Sequence, residues 1–180
     1  MRMSRLVAAA GLAAGLAVSM AVPALAHITF ADPNAPSNGF YRAVLRVPHG
    51  CDGSATTAIR IQIPEGFIVA QPMPKPGWQV TVTEGSYGKS YKYEDTTISR
   101  GVKEIAWAGG NLPDNFYDEF VFRVRVTDIA PGTKVYFPVV QECGSKTEHW
   151  IEIPAEGKSD DDYEYPAPGL TIGAPAGDDD

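Results

Sequence analysis

The chain has 180 residues, 44% of them hydrophobic, with 15 basic residues against 22 acidic ones, 18 Gly, 15 Pro and two Cys. That balance offers no basic cluster for nucleic acid or for an anionic membrane surface. The Gly and Pro content also leaves little room for long helices, which argues against an α-helical bundle.

Arg2 and Arg5 form a short basic head, Leu6 to Val22 is an apolar run rich in Ala and Gly, and Ala24-Leu25-Ala26 supplies small residues at a cleavage site. These three parts read as a secretory signal peptide over residues 1–26. The competing reading is a membrane anchor. The run is at the short end for a spanning helix, weakly hydrophobic, and runs directly into Pro23 and the A-x-A site. Cleavage leaves a mature chain from His27 to Asp180 that keeps all 22 acidic residues but only 13 basic ones, a formal charge of −9. No second apolar run is long enough to span a bilayer, so a periplasmic or secreted location with no membrane insertion after cleavage is expected.

The mature chain suits one domain with a sizeable core. Tyr41 to Val47 alternates, with Tyr41, Ala43, Leu45 and Val47 on one face and two arginines on the other. Thr57 to Ile63 repeats this with Ile59, Ile61 and Ile63. Glu119 to Val126 sets Phe120, Phe122, Val124 and Val126 against Glu119, Arg123 and Arg125. Such period-two alternation predicts half-buried strands. Weaker strands are expected at Gln79–Thr83, Lys89–Tyr93, Val102–Ala106, Lys134–Val140 and Glu148–Ile153. Turn signals lie between them at Pro64-Glu65-Gly66, Pro74-Lys75-Pro76-Gly77, Gly109-Gly110-Asn111 and Pro131-Gly132. Many short strands between Gly/Pro turns predict an all-β fold: an antiparallel two-sheet β-sandwich of immunoglobulin-like or cupredoxin-like type over residues 27–156. From Gly157 to Asp180 the chain is acidic and Pro/Gly-rich, and reads as a solvated, partly disordered tail.

Cys51 and Cys143 in an oxidising compartment are expected to form a disulfide. The competing thiolate copper site lacks support, because no Cys-x-x-His-x-x-Met pattern follows Cys143. Three histidines remain. Cleavage before His27 would free a main-chain amine with an intrinsic pKa of about 8. His27 then offers two nitrogen donors, which together can chelate Cu(II), an ion that favours nitrogen and oxygen ligands. His49 lies just past a strand end, close to Cys51, and is placed as a direct or second-sphere ligand. His149 shares parity with Ile151 and Ile153 and reads as a packed or edge residue. Trp78 and Trp107 read as core or turn-packing residues, whereas parity puts Trp150 off the core face. The spacing of the histidines matches no zinc motif.

The start His27-Ile28-Thr29, the Tyr41–Pro48 strand, the Pro72-x-Pro74-x-Pro76-Gly77-Trp78 segment, the Phe116–Phe122 run and Trp150 together resemble the YcnI-like copper-binding domain over about residues 27–153. The resemblance implies a β-sandwich that binds Cu(II) through a single-histidine brace: amine and imidazole from His27, a carboxylate, and Trp150 packed beside the metal. In that family a Glu follows the Val-Pro after the first strand. Here the loop reads His49-Gly50-Cys51-Asp52-Gly53, so His49, Asp52 or water is expected to take that place. The family implies copper homeostasis or delivery, alongside other periplasmic or membrane copper-handling proteins, rather than catalysis.

Two other function classes compete. A copper-dependent monooxygenase would use a second brace histidine and a flat aromatic face, and the aromatics here fall mostly on core faces. A metal-free immunoglobulin-like interaction module would make His27 incidental. Nucleophilic catalysis lacks a G-x-S-x-G elbow.

Overall fold

The computed structural model describes residues 27–175. The signal peptide read at residues 1–26 lies outside the described residues, as do residues 176–180. The strands are β1 (Thr29–Phe30), β2 (Asn34–Ser37), β3 (Phe40–Val47), β4 (Thr56–Gln62), β5 (Phe67–Pro72), β6 (Gln79–Tyr93), β7 (Thr96–Leu112), β8 (Asp118–Val126), β9 (Lys134–Tyr136), β10 (Val139–Cys143), β11 (Lys146–Trp150) and β12 (Gly169–Pro175). A single 3-10 turn at Asp160–Asp162 is the only helical element among the described residues.

Two antiparallel sheets make the sandwich, one in the order β1-β3-β8-β5 and the other β11-β10-β4-β7-β6. The alternating apolar residues account for it. Tyr41, Ala43, Leu45, Phe120, Phe122 and Val124 from the first sheet meet Ile59, Ile61, Ile105, Trp107 and Val139 from the second in one buried core. Hydrophobic burial and aromatic edge-to-face contacts hold it together: Trp107 stands 5.5 Å from Phe120, and Phe67 stands 4.7 Å from Phe137, centroid to centroid.

The strands with clean alternation, β3, β4 and β8, fall where the sequence predicts them. Four features differ. Residues 79–83 and 89–93 belong to one long strand, β6, paired with the still longer β7. Gly109-Gly110-Asn111 is not a turn but a bulge inside β7, where Thr56 pairs with Leu112 and Ala58 with Ala108. Gly110 is required there, because a Cβ would come within 2.1 Å of the Trp78 indole. The expected single strand over 134–140 is split into β9 and β10 by Pro138, which cannot donate to a ladder.

The fourth difference concerns the tail. Residues 169–175 form β12, which pairs in parallel with β2 and antiparallel with β9 in a small third sheet, and Leu170 and Ile172 are buried in the main core. The domain therefore continues well past residue 156. The acidic run at 159–162 masked the apolar Leu170-Thr171-Ile172 alternation that follows it, which is too short to signal a strand alone.

Candidate metal centre

The sandwich ends where β10, β11 and the β3–β4 connection meet. Three devices bring them together. The Cys51–Cys143 disulfide ties that connection to the end of β10, as the count of two cysteines leads one to expect. Gly50 donates its N–H to the Asp114 carbonyl at 3.1 Å, and a Cβ at Gly50 would lie 2.0 Å from the Ser54 carbonyl oxygen, so only glycine fits between His49 and Cys51.

The third device is Gln141, which is fully buried (0% exposed) in the centre of β10. Its Nε2 donates to the His49 carbonyl at 2.8 Å and to Thr56 Oγ1 at 2.8 Å, and its Oε1 accepts the Trp150 indole N–H at 3.0 Å. An indole N–H can only donate and a main-chain carbonyl can only accept, so the amide has one orientation. One side chain thus fixes both the His49 loop and the Trp150 ring.

Trp150 is 2% exposed and belongs to the core cluster. This corrects the expectation that it faces away from the core. β11 ends at Trp150, and Ile151 and Ile153 beyond it are 48% and 59% exposed. They lie past the strand, where the Ile151 N–H turns back to the His149 carbonyl, so their parity says nothing about the strand's inner face. His149 is exposed on the opposite face.

Both half-buried histidines pack against this indole. The His27 ring lies 6.0 Å from Trp150 edge-on, and the His49 ring lies 6.4 Å from it, centroid to centroid. His27, His49 and Trp150, the three metal-site residues expected from sequence, are therefore gathered at one place. Tyr165 closes the other side of the indole at 5.2 Å. Pro166, Ala167, Pro168 and Gly169 line a pocket of about 120 Å³ with His27, so the segment after residue 156 forms part of this wall.

The sequence offers His49, Asp52 or water in the place of the family's carboxylate. Asp52 is exposed, and Lys146 Nζ donates to its main-chain carbonyl at 2.9 Å and approaches its carboxylate at 3.5 Å. A carboxyl that interacts with His49 belongs to Glu148, two residues before Trp150 on the same face of β11. Its Oε2 is buried without a hydrogen-bond partner. Burial raises its pKa above the ordinary glutamate range, the neighbouring His49 lowers it, and Asp52 and Asp114 push it up again. Its parity with Trp150 was a signal available in the sequence, as was that of Gln141 with Val139 and Cys143.

Among the described residues, no three His, Cys, Asp or Glu side chains converge closely enough to hold a metal by themselves. A site here needs a further donor, and cleavage before His27 would create one. None of the described helical residues forms a helix long and apolar enough to cross a membrane.

Residues 27–172 match the family described as "Domain of unknown function (DUF1775)". A crystal structure of an uncharacterized protein from Nocardia farcinica, described as having an immunoglobulin-like fold, is 25% identical, covers 82% of this chain and 99% of its own, and superposes with a TM-score of 0.62. No curated protein matches the chain.

Proposed function

The chain belongs to the DUF1775 family, and on that premise we propose that it is an exported copper-binding protein that holds Cu(II) at His27 and acts in copper homeostasis or delivery, not in catalysis. In this reading copper is cargo. The amine and imidazole of His27 form the chelate, Glu148 supplies the carboxylate oxygen, and Trp150 walls off water, with His49 adding a nitrogen ligand or orienting the carboxylate. The observation that carries it is the Glu148 Oε2, without a hydrogen-bond partner, near His49, whose ring packs against the same indole as that of His27. A buried carboxylate left without a partner is costly, and a cation relieves that cost. Imidazole, amine and carboxylate suit Cu(II). The disulfide supports export to an oxidising compartment. Donors and acceptors of the metal would be other copper-handling proteins of the same compartment.

The test is Cu(II) titration of the protein starting at His27, compared with one carrying an extra Ala before His27, read by calorimetry and electron paramagnetic resonance. The extra residue keeps the imidazole and moves the free amine out of the chelate. One tight Cu(II) per native chain, lost in the extended chain and weakened by Glu148→Gln, is the expected result. Equal binding by both chains would place the metal elsewhere. No binding by either would favour the interaction-module reading, and reductant-driven turnover of a glycan would favour the monooxygenase.

A further inference from the structure

The outer face of the β1-β3-β8-β5 sheet carries charge that the rest of the molecule does not explain. Arg42 and Arg46 of β3 and Arg123 and Arg125 of β8 all point away from the core, on the side opposite Tyr41, Leu45, Phe122 and Val124. The ladder sets Arg42 directly across from Arg123, and Phe40 across from Arg125. Like charges directly opposite each other destabilise a sheet. Elsewhere this acidic chain pairs its cations: Arg60 with Glu142, Lys75 with Asp118, Lys103 with Glu65 and Lys134 with Asp160, among others. Arg46 has Glu119 directly across the ladder and lies beside Tyr117, whereas Arg42, Arg123 and Arg125 have no ion pair among the described residues.

The arginines are also pre-arranged. The Arg123 guanidinium stacks 3.5 Å from the Phe40 ring centroid, and that of Arg125 lies 5.5 Å from it and 6.0 Å from the Tyr93 ring. Stacking holds the plane of a guanidinium and leaves its N–H edge able to meet a carboxylate in bidentate fashion, with less side-chain entropy left to lose. Beside them runs a groove of about 380 Å³ whose lining includes Arg42, Arg123, Gln71, Val121 and Met73. Gln71 sits across from Arg123 on β5, and Met73 is 49% exposed.

We propose that this face docks an acidic segment of a partner protein, whose carboxylates pair with Arg42, Arg123 and Arg125 and whose apolar side chains enter the groove beside Met73. The proposal is independent of copper binding, since the arginines project from the outer side of the sheet, away from the core that Trp150 joins. A short acidic segment fits better than an anionic bilayer. The mature chain is strongly acidic overall, which repels an extended anionic surface, whereas a short segment at Arg42, Arg123 and Arg125 meets mainly the local positive charge. The groove also carries apolar lining, which a bare phosphate or carboxylate ion would not use.

The experiment uses the mature chain and a fluorescein-labelled peptide of alternating Glu and Leu, followed by anisotropy at low ionic strength and by amide chemical-shift mapping. The expected result is binding that weakens with salt, with shifts confined to β3, β5 and β8. Arg42→Gln combined with Arg123→Gln should weaken it by about tenfold with the thermal midpoint kept. Should that double variant fail to fold, Gln71→Glu, which puts a negative charge at the groove, should weaken binding without touching the arginines. Absence of binding by the native chain at low salt, or binding unchanged in either folded variant, overturns the proposal. So does full displacement of the peptide by millimolar phosphate, which identifies a small-anion site, or arginine-dependent sedimentation with phosphatidylglycerol vesicles in place of peptide binding.

Discussion

Glu65 and Glu148 each sit beside a buried aromatic cluster at an end of the sandwich, yet their surroundings are opposite in kind. Glu65 is fully partnered: Tyr91 donates to its Oε2 at 2.9 Å, and Lys103 donates to its Oε1 at 2.6 Å. Burial, which would raise its pKa, is outweighed by these hydrogen bonds, so the pKa falls below the usual glutamate value. Tyr91 in turn accepts the Gly66 N–H and packs with Tyr87 and Ile68 in a small second core. Glu148 has one oxygen without a hydrogen-bond partner, with the charges of His49 and Lys146 set against those of Asp52 and Asp114 around it. The first arrangement consumes its charge in holding β6 and β7 to the β4–β5 turn. The second leaves a buried carboxyl oxygen without a hydrogen-bond partner beside segments held by Gln141 and the disulfide, the arrangement on which the proposed copper site rests.

Breaking the scaffold of the Glu148 end should have the largest effect. Replacing Cys51 and Cys143 together by Ala opens a loop of sequence separation 92 and should lower stability by about 4 kcal/mol in chemical denaturation. Gln141→Leu should cost about 3 kcal/mol, because it strands the Trp150 N–H and removes the donor to the His49 carbonyl and Thr56, and it should shift the tryptophan fluorescence. Converting the two glutamates to glutamine sharpens the contrast by sign. Glu65→Gln should destabilise by about 0.5 kcal/mol, an exposed pair being worth little. Glu148→Gln in metal-free protein should leave stability unchanged or raised in the same assay, since it removes an unpaired buried charge.

The smallest effect is in pH. Glu65 is lowered in the folded state, so its contribution is present above the ordinary glutamate pKa and is lost as acid protonates it below that value. Tyr91 is pushed up to about 12, first by burial and then by its bond to Glu65, so its contribution is whole below the ordinary tyrosine value of about 10 and is lost as the pH rises toward 12. Ultraviolet titration should show several tyrosines ionising late, Tyr91 and the buried Tyr41 among them, and Glu65→Gln should bring the Tyr91 step earlier.

The parts of this molecule that could be read from sequence are those where one residue in two is apolar over seven or more positions, as in β3, β4 and β8. Strands of two to six residues, such as β1, β2 and β5, carry too few periods, and β2 holds a proline. The cysteine pairing followed from count and compartment. At the candidate site, His27, His49 and Trp150, all singled out from the sequence, do lie together, but the face of Trp150 was misjudged because Ile151 and Ile153 extended an apparent alternation past the end of β11. Gln141 and Glu148 went unnoticed for a related reason: a polar residue on an inward parity looks like noise until its partners, from segments some 90 residues away, are seen to converge on it.

The parallel pairing of β12 with β2, and the seating of residues 166–169 against His27, join the first and last parts of the described chain. In synthesis His27 is made well over a hundred residues before the segment that walls it. Contacts of such sequence separation close late, because their loop entropy is lost before they reward it. A nascent chain therefore carries an open His27 imidazole, with the indole not yet seated against it. The packing of His27 beside Trp150 becomes a property of the finished fold, so the histidine end reports that the late segments have closed over it.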